Sequence, residues 1–175
     1  MVCNKSKHRA DDKEMHTDDI TALGISKCRT KVVTGQNGKK PVAFVWCAKG
    51  GKKHNRYKLF SGARAIKAAA ISSCGNMVAL VCNDNDHSVL VYSTCEEQKQ
   101  IMREKGGPDP IFDCYWSQKE GHPEFVTAGK KHFKWWWPKD NKVKKGLYMS
   151  KGKPTSHACA TFDDEGMAYT GGVNS

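Results

Sequence analysis

Apolar residues in this chain come in short runs with little helical periodicity, each closed by Gly, Asn, Ser or Lys, and such runs predict strands. The first group predicts strands at Ile20–Ser26, Lys31–Thr34, Val42–Trp46 and Tyr57–Phe60. Gly35-Gln36-Asn37-Gly38 punctuates the middle of the group, and Pro41 opens the third strand, where its missing N–H does least harm. A second group is expected at Ile66–Ser72, Met77–Cys82, Ser88–Tyr92 and Gln98–Met102, and a third at Ile111–Trp116, Glu124–Ala128, His132–Trp136 and Gly146–Met149. A fourth starts near His157 and continues through Met167–Thr170.

The groups are copies. Ile25, Ile71, Trp116 and Phe162 end equivalent phrases at spacings of 46, 45 and 46 residues, and Trp46, Tyr92 and Trp136 end the third strands at spacings of 46 and 44. One supersecondary unit repeated at this period needs neighbours to bury its faces. Four strands per copy with an aromatic closing the third predict an all-β fold, a WD-repeat type of β-propeller. The expected blades are 16–60, 61–105 and 106–151, with the start of a fourth at 152–175, after a polar leader at 1–15. Propellers carry about four to eight blades, so the chain is expected to be part of a longer propeller or a larger assembly.

Composition narrows the partners. The 29 Lys and Arg exceed the 18 Asp and Glu, giving a net charge of +11 and an attraction to polyanionic surfaces. The eight cysteines form no C-x-x-C pair and are expected to be reduced thiols, several packing as small hydrophobes. Met1–Met15 holds no apolar signal core, and no run approaches the roughly 18 residues of a membrane helix. The chain is therefore expected in the cytoplasm, away from membranes.

Candidate chemistry is sparse. Nucleophile-elbow, Walker, Rossmann and H-E-x-x-H patterns are absent, so no enzyme, cofactor or metal is expected. His157 and Cys159 lack a second ligand pair, and Asp84, Asp86 and His87 read as a turn between strands. Trp135-Trp136-Trp137 beside Lys130, Lys131, Lys134 and Lys139 raises base stacking. Trp136 belongs to the blade core, however, and neighbours on a strand face opposite ways, so at most one face is free.

Charge falls unevenly on the turns after the first and third strands. The first copy places Lys27, Arg29 and Lys31 there, with Lys49, Lys52, Lys53, His54 and Arg56; the third places Lys139, Lys142, Lys144 and Lys145. The second and fourth answer with Glu96, Glu97, Asp163, Asp164 and Glu165. The candidate partner-binding residues are Lys49, Lys52, Lys53, Arg56, Lys139, Lys142, Lys144 and Lys145, since lysine tolerates imprecise acidic partners.

The wording of the copies carries a resemblance. His16-Thr17-Asp18-Asp19-Ile20-Thr21-Ala22-Leu23 followed by Val33-Thr34-Gly35-Gln36, the stretch Asp84 to Tyr92, and Phe125 to Trp136 resemble successive blades of the echinoderm microtubule-associated protein-like (EMAP-like) family. Tyr169-Thr170-Gly171-Gly172 resembles the opening of the next blade, so the likeness runs over residues 16–175. The family's HELP segment does not stand before His16, and Cys47, Ser93 and Trp137 replace the Asp that often follows the blade aromatic. The resemblance implies a non-enzymatic scaffold that binds tubulin, microtubules or axonemal proteins in the cytoskeleton or cilium. A generic WD-repeat scaffold in signalling or the ubiquitin pathway is the alternative, with an RNA-binding propeller less favoured.

Overall fold

The computed structural model describes residues 15–51, 53–59, 62–96, 99–146 and 155–173. Among the described residues, fourteen strands form four antiparallel sheets, each a simple meander. The first holds β1 (Ile20–Ile25), β2 (Lys31–Gln36), β3 (Val42–Cys47) and β4 (Lys53–Lys58), and the second β5 (Ile66–Ile71), β6 (Met77–Cys82), β7 (Val89–Ser93) and β8 (Gln100–Glu104). The third holds β9 (Ile111–Trp116), β10 (Phe125–Gly129), β11 (His132–Trp137) and β12 (Lys142–Lys145), and the fourth pairs β13 (Ser156–Phe162) with β14 (Ala168–Val173).

The sheets stack face to face around their first strands, as a partial propeller does. Ala22, Val33, Val45 and Tyr57 of the first sheet meet Ile71, Val78, Leu80 and Tyr92 of the second. The second sheet's other face packs Ala70, Ala79, Val91 and Met102 against Trp116, Phe125 and Trp136. Val126 and Ala128 then meet Ala160 and Phe162, with Trp135 edge-on to Phe162 at 5.4 Å. Apolar burial on both faces of the central sheets, at about 25 cal/mol per Å², is the main cohesion of such a stack.

Each innermost strand carries a bulge at the same place in the repeat. Thr21, Lys67, Phe112 and Ala158 are skipped in the pairing with the second strand, and all four are exposed. A bulge adds local twist and bends its strand. Close approach at the centre also depends on Gly24, where a Cβ would lie 2.5 Å from the Ala69 carbonyl oxygen. Direct bonds cross the sheets here: Thr21 Oγ1 donates to Ile66 O at 2.7 Å, Trp116 Nε1 to Ala70 O at 3.0 Å, and Ala160 N to Asp113 Oδ2 at 3.0 Å.

The inner three strands fall close to their expected places, and the outer strands do not. β4 begins at Lys53 rather than Tyr57, because Gly51, at φ +62, closes a tight turn by donating its N–H to Cys47 O. β12 covers Lys142–Lys145 rather than Gly146–Met149: Pro138–Asp140 makes one 3-10 turn and Asn141 takes a left-handed conformation. Residues 147–149 lie outside the described residues. Outer strands carry cations along an open edge, which blunts edge-to-edge pairing and hides them from an apolar-pattern reading. The first sheet's outer flank leaves Leu23 72% and Ile25 57% exposed, whereas their repeat counterparts Ala69 and Ile71 are 7% and 2% exposed.

Candidate partner-binding surface

The turns after the first and third strands emerge at one end of the stack. Ala48 N donates to Thr30 O in the first sheet, and Thr94 N to Asn76 O in the second, tying the two kinds of turn together. A serine shapes the first turn twice: Ser26 Oγ accepts from Lys31 N, and Ser72 Oγ from Met77 N, both at 3.0 Å. Three residues after the turn-opening Ser26, Ser72 and Asp163, the backbone is left-handed at Arg29, Gly75 and Gly166.

Two cations of this end are consumed inside the molecule. Lys31, half-buried, donates through Nζ to Gly75 O at 2.9 Å and to Thr94 Oγ1 at 3.1 Å, joining the first sheet to both turns of the second. Lys27 Nζ crosses to Gln118 O at 2.8 Å and lies 3.8 Å from Asp164. Nearby, Tyr57 O–H donates to Ser93 O at 2.7 Å and Asn55 Nδ2 to Thr94 O at 3.0 Å, both buried. These bonds staple sheet to sheet, and the apolar pattern of the sequence carries no sign of them.

The eight sequence-derived residues separate into three groups. Lys49 lies in the turn after β3, and Lys139 in the 3-10 turn after β11, so both reach the shared end. Lys53, Arg56, Lys142, Lys144 and Lys145 stand on outer strands and not in turns, a consequence of the short turns that start β4 and β12 early. Lys52 lies outside the described residues. The Arg56 guanidinium sits 5.9 Å from the centre of the Phe44 ring, and Lys142 Nζ 5.7 Å from Trp137. Lys145 faces Lys134 across the strand pair, and burial together with that like charge lowers the Lys134 pKa. Lys144 pairs with Trp135 on the opposite face.

Titratable groups elsewhere act as structure. Asp84 accepts from both the N–H and the hydroxyl of Ser88 at 2.7 Å, and Asp86 pairs with Lys105 at 3.0 Å. His157 is buried and Cys159 exposed, because the bulge at Ala158 breaks their alternation. Trp135 and Trp137 stack at 6.0 Å on the face opposite Trp136. Asp113 has its pKa raised by burial, against the two backbone N–H groups it accepts. The seven cysteines among the described residues are free thiols, and Cys82 and Cys114 are buried in the core clusters. Among the described residues, no three His, Cys, Asp or Glu side chains are grouped to hold a metal, and no helix is long and apolar enough to cross a membrane.

No protein-family model matches the chain. It is 49% identical over 174 residues to the ciliary WD repeat-containing protein ctxp80 of Euplotoides octocarinatus, a match covering 98% of this chain and 24% of that protein. It is 26% and 27% identical to echinoderm microtubule-associated protein-like 2 of Rattus norvegicus and Mus musculus, over 89% of this chain and 26% of each relative. The chain thus spans about a quarter of the length of these curated relatives. Repeated four-stranded sheets, radial stacking and these likenesses together make the chain a partial WD-repeat β-propeller related to the EMAP-like proteins.

Proposed function

We propose that the chain is a non-enzymatic scaffold of the microtubule cytoskeleton, working in a cilium or axoneme and docking on acidic protein surfaces, tubulin first. The observation that carries this reading is the 49% likeness to a protein named as ciliary and WD-repeat-containing. The names of the EMAP-like relatives support microtubules as the partner. Geometry supplies a means: Lys49 and Lys139, from the first and third sheets, sit at one end of the stack, beyond the staples made by Lys31. Lys52 and Lys53 adjoin Lys49 in sequence, while Lys142, Lys144 and Lys145 extend the charge along the third sheet's edge with Arg56 on the first. Such rim charges set association rate and salt sensitivity more than affinity.

Microtubule co-sedimentation tests the reading. Replacing Lys49, Lys52, Lys139 and Lys142 with Gln is expected to reduce pelleting at low salt and flatten its salt dependence. Unchanged pelleting would remove these cations from the interface. A filter-binding assay with RNA in parallel distinguishes the nucleic-acid reading. The stacked Trp135 and Trp137 do not favour that reading, since Trp135 is engaged with Phe162.

A further inference from the structure

The four sheets pack in a row, and the row ends in two unlike flanks. At one end the first sheet turns Ile20, Leu23 and Ile25 away from the second, and all three are more than half exposed. Their repeat counterparts Ile66, Ala69 and Ile71 lie buried against the first sheet. Trp116 and Phe162, the counterparts of Ile25 in the third and fourth sheets, are buried in the same way. At the other end the fourth sheet turns Cys159, Thr161 and Tyr169 outward, all exposed. Register makes Tyr169 the counterpart of Val33, Ala79 and Val126, none of which meets solvent.

The filled junctions show what each flank is shaped to receive. The first two set bulky residues of one inner strand on small residues of the sheet before it. Gly35 leaves a notch for Ile66, whose Cγ2 lies 2.5 Å from where a Cβ on Gly35 would stand. Ala68 and Ala70 likewise lie against Trp116. In the fourth sheet Gly171 is the counterpart of Gly35, and Cys159 and Thr161 are those of Ala68 and Ala70. In the first sheet Ile20 stands where Ile66 does, and Ile25 where Trp116 does. The two open flanks are thus the small and the bulky half of one kind of junction.

We propose that the first-sheet flank docks on the fourth-sheet flank of a second copy of this chain, with Ile20 entering the notch at Gly171 and Ile25 covering Thr161. A second copy supplies the matching flank and leaves neither end open. Exposed apolar clusters of this kind mark interaction sites. Pairing of unlike flanks is head to tail, and such an interface makes a ring where its rotation closes. Two copies carry eight sheets among the described residues, inside the range of about four to eight blades in a closed propeller. Two such junctions therefore complete the ring. The junction uses sheet flanks rather than the turns of Lys49 and Lys139, so it stands independently of microtubule binding.

Light scattering of the full chain after gel filtration tests it, at about 100 μM so that an association of micromolar strength is populated. The parent is expected at twice the 19.5 kDa of one chain. Leu23→Arg with Ile25→Arg blocks the first flank, and Thr161→Arg blocks the other. Each variant alone is expected at the single-chain mass with an unchanged far-ultraviolet circular dichroism spectrum, because these side chains are exposed in one chain. An equimolar mixture of the two variants is expected to recover the doubled mass, since each supplies the flank the other lacks. The proposal is overturned by a parent at the single-chain mass, by a mixture that stays single, or by open-ended polymers. A dimer that survives Thr161→Arg also overturns it, since first-sheet flanks would then be pairing with each other.

Discussion

Trp136 donates its indole Nε1–H to Thr127 Oγ1 at 2.8 Å inside the interface between the second and third sheets. The same hydroxyl lies 2.7 Å from His132 Nε2, so one side chain satisfies two buried rings. The first sheet repeats the relationship with Trp46 donating to Thr34 Oγ1 at 2.7 Å and His16 Nε2 at 2.6 Å from that hydroxyl. The imidazole arrives by different routes, from ahead of β1 in one sheet and from the first residue of β11 in the other. The second sheet has buried Leu80 and Tyr92 at the corresponding positions.

Thr127→Val is accordingly expected to destabilise the chain by about 2–4 kcal/mol, since it strands two buried polar groups at about 1–3 kcal/mol each. Thr34→Val, on the partly exposed flank, is expected to cost less than half as much, because water reaches His16 and Trp46 there. Denaturant unfolding of both variants compares them, and equal losses would contradict the account.

His132 makes the same interface pH-sensitive. Burial first, and then the charges of Lys134 and His87, push its pKa down to about 4. The folded chain therefore keeps the imidazole neutral, while the unfolded chain takes up a proton below about 6.5. Stability is full above that pH and falls as the pH drops toward 4, by up to about 3 kcal/mol in total. His132→Gln is expected to flatten the profile of melting temperature between pH 6.5 and 4, and a slope as steep as in the parent would assign the effect to other groups.

The same interface explains what could be read from the chain before its structure. Inner strands sit between two sheets, so their residues are apolar, repeat at 45 or 46, and announce themselves, as Ile66–Ile71 and Met77–Cys82 do. Outer strands meet solvent, and Lys53–Lys58 and Lys142–Lys145 look like turns because their order comes from backbone pairing with β3 and β11. The candidate cations suffered from the same blindness. Composition makes Lys31 and Lys49 equal, and only the fold reveals that one bridges two sheets.

Arg29 occupies a position where the second and fourth copies place glycine. Its φ of +55 matches Gly75 at +72 and Gly166 at +87, in turns that serve the same role. A side chain in the left-handed region costs roughly 1–2 kcal/mol, offset in part by the freedom glycine brings to the unfolded chain. Arg29→Gly is expected to raise stability by about 1 kcal/mol, which corresponds to about 2–4 °C in melting temperature for a chain of this size. Calorimetry reads this directly, and a lowered melting temperature would mean that the Arg29 side chain makes a contact worth more than the strain.

Lys31 and Lys49 share an end of the molecule and carry the same charge, yet they should behave as opposites. Lys31 Nζ holds Gly75 O and Thr94 Oγ1 in a half-buried corner, and the backbone around Thr94 accepts from buried Asn55. Lys31→Met keeps most of the aliphatic stem and removes the donor, leaving Gly75 O one partner short. Its expected cost is about 1–3 kcal/mol, the range for a hydrogen bond from a charged donor in such a site. Lys49 is exposed in its turn, where surface charges contribute within about 0.5 kcal/mol, so Lys49→Met is expected to leave unfolding unchanged. Microtubule pelleting then separates their roles a second way: the Lys49 change should weaken association at low salt without touching stability. A stability loss at Lys49 equal to that at Lys31 would show that this end is held together by all its cations, and that none is set aside for a partner.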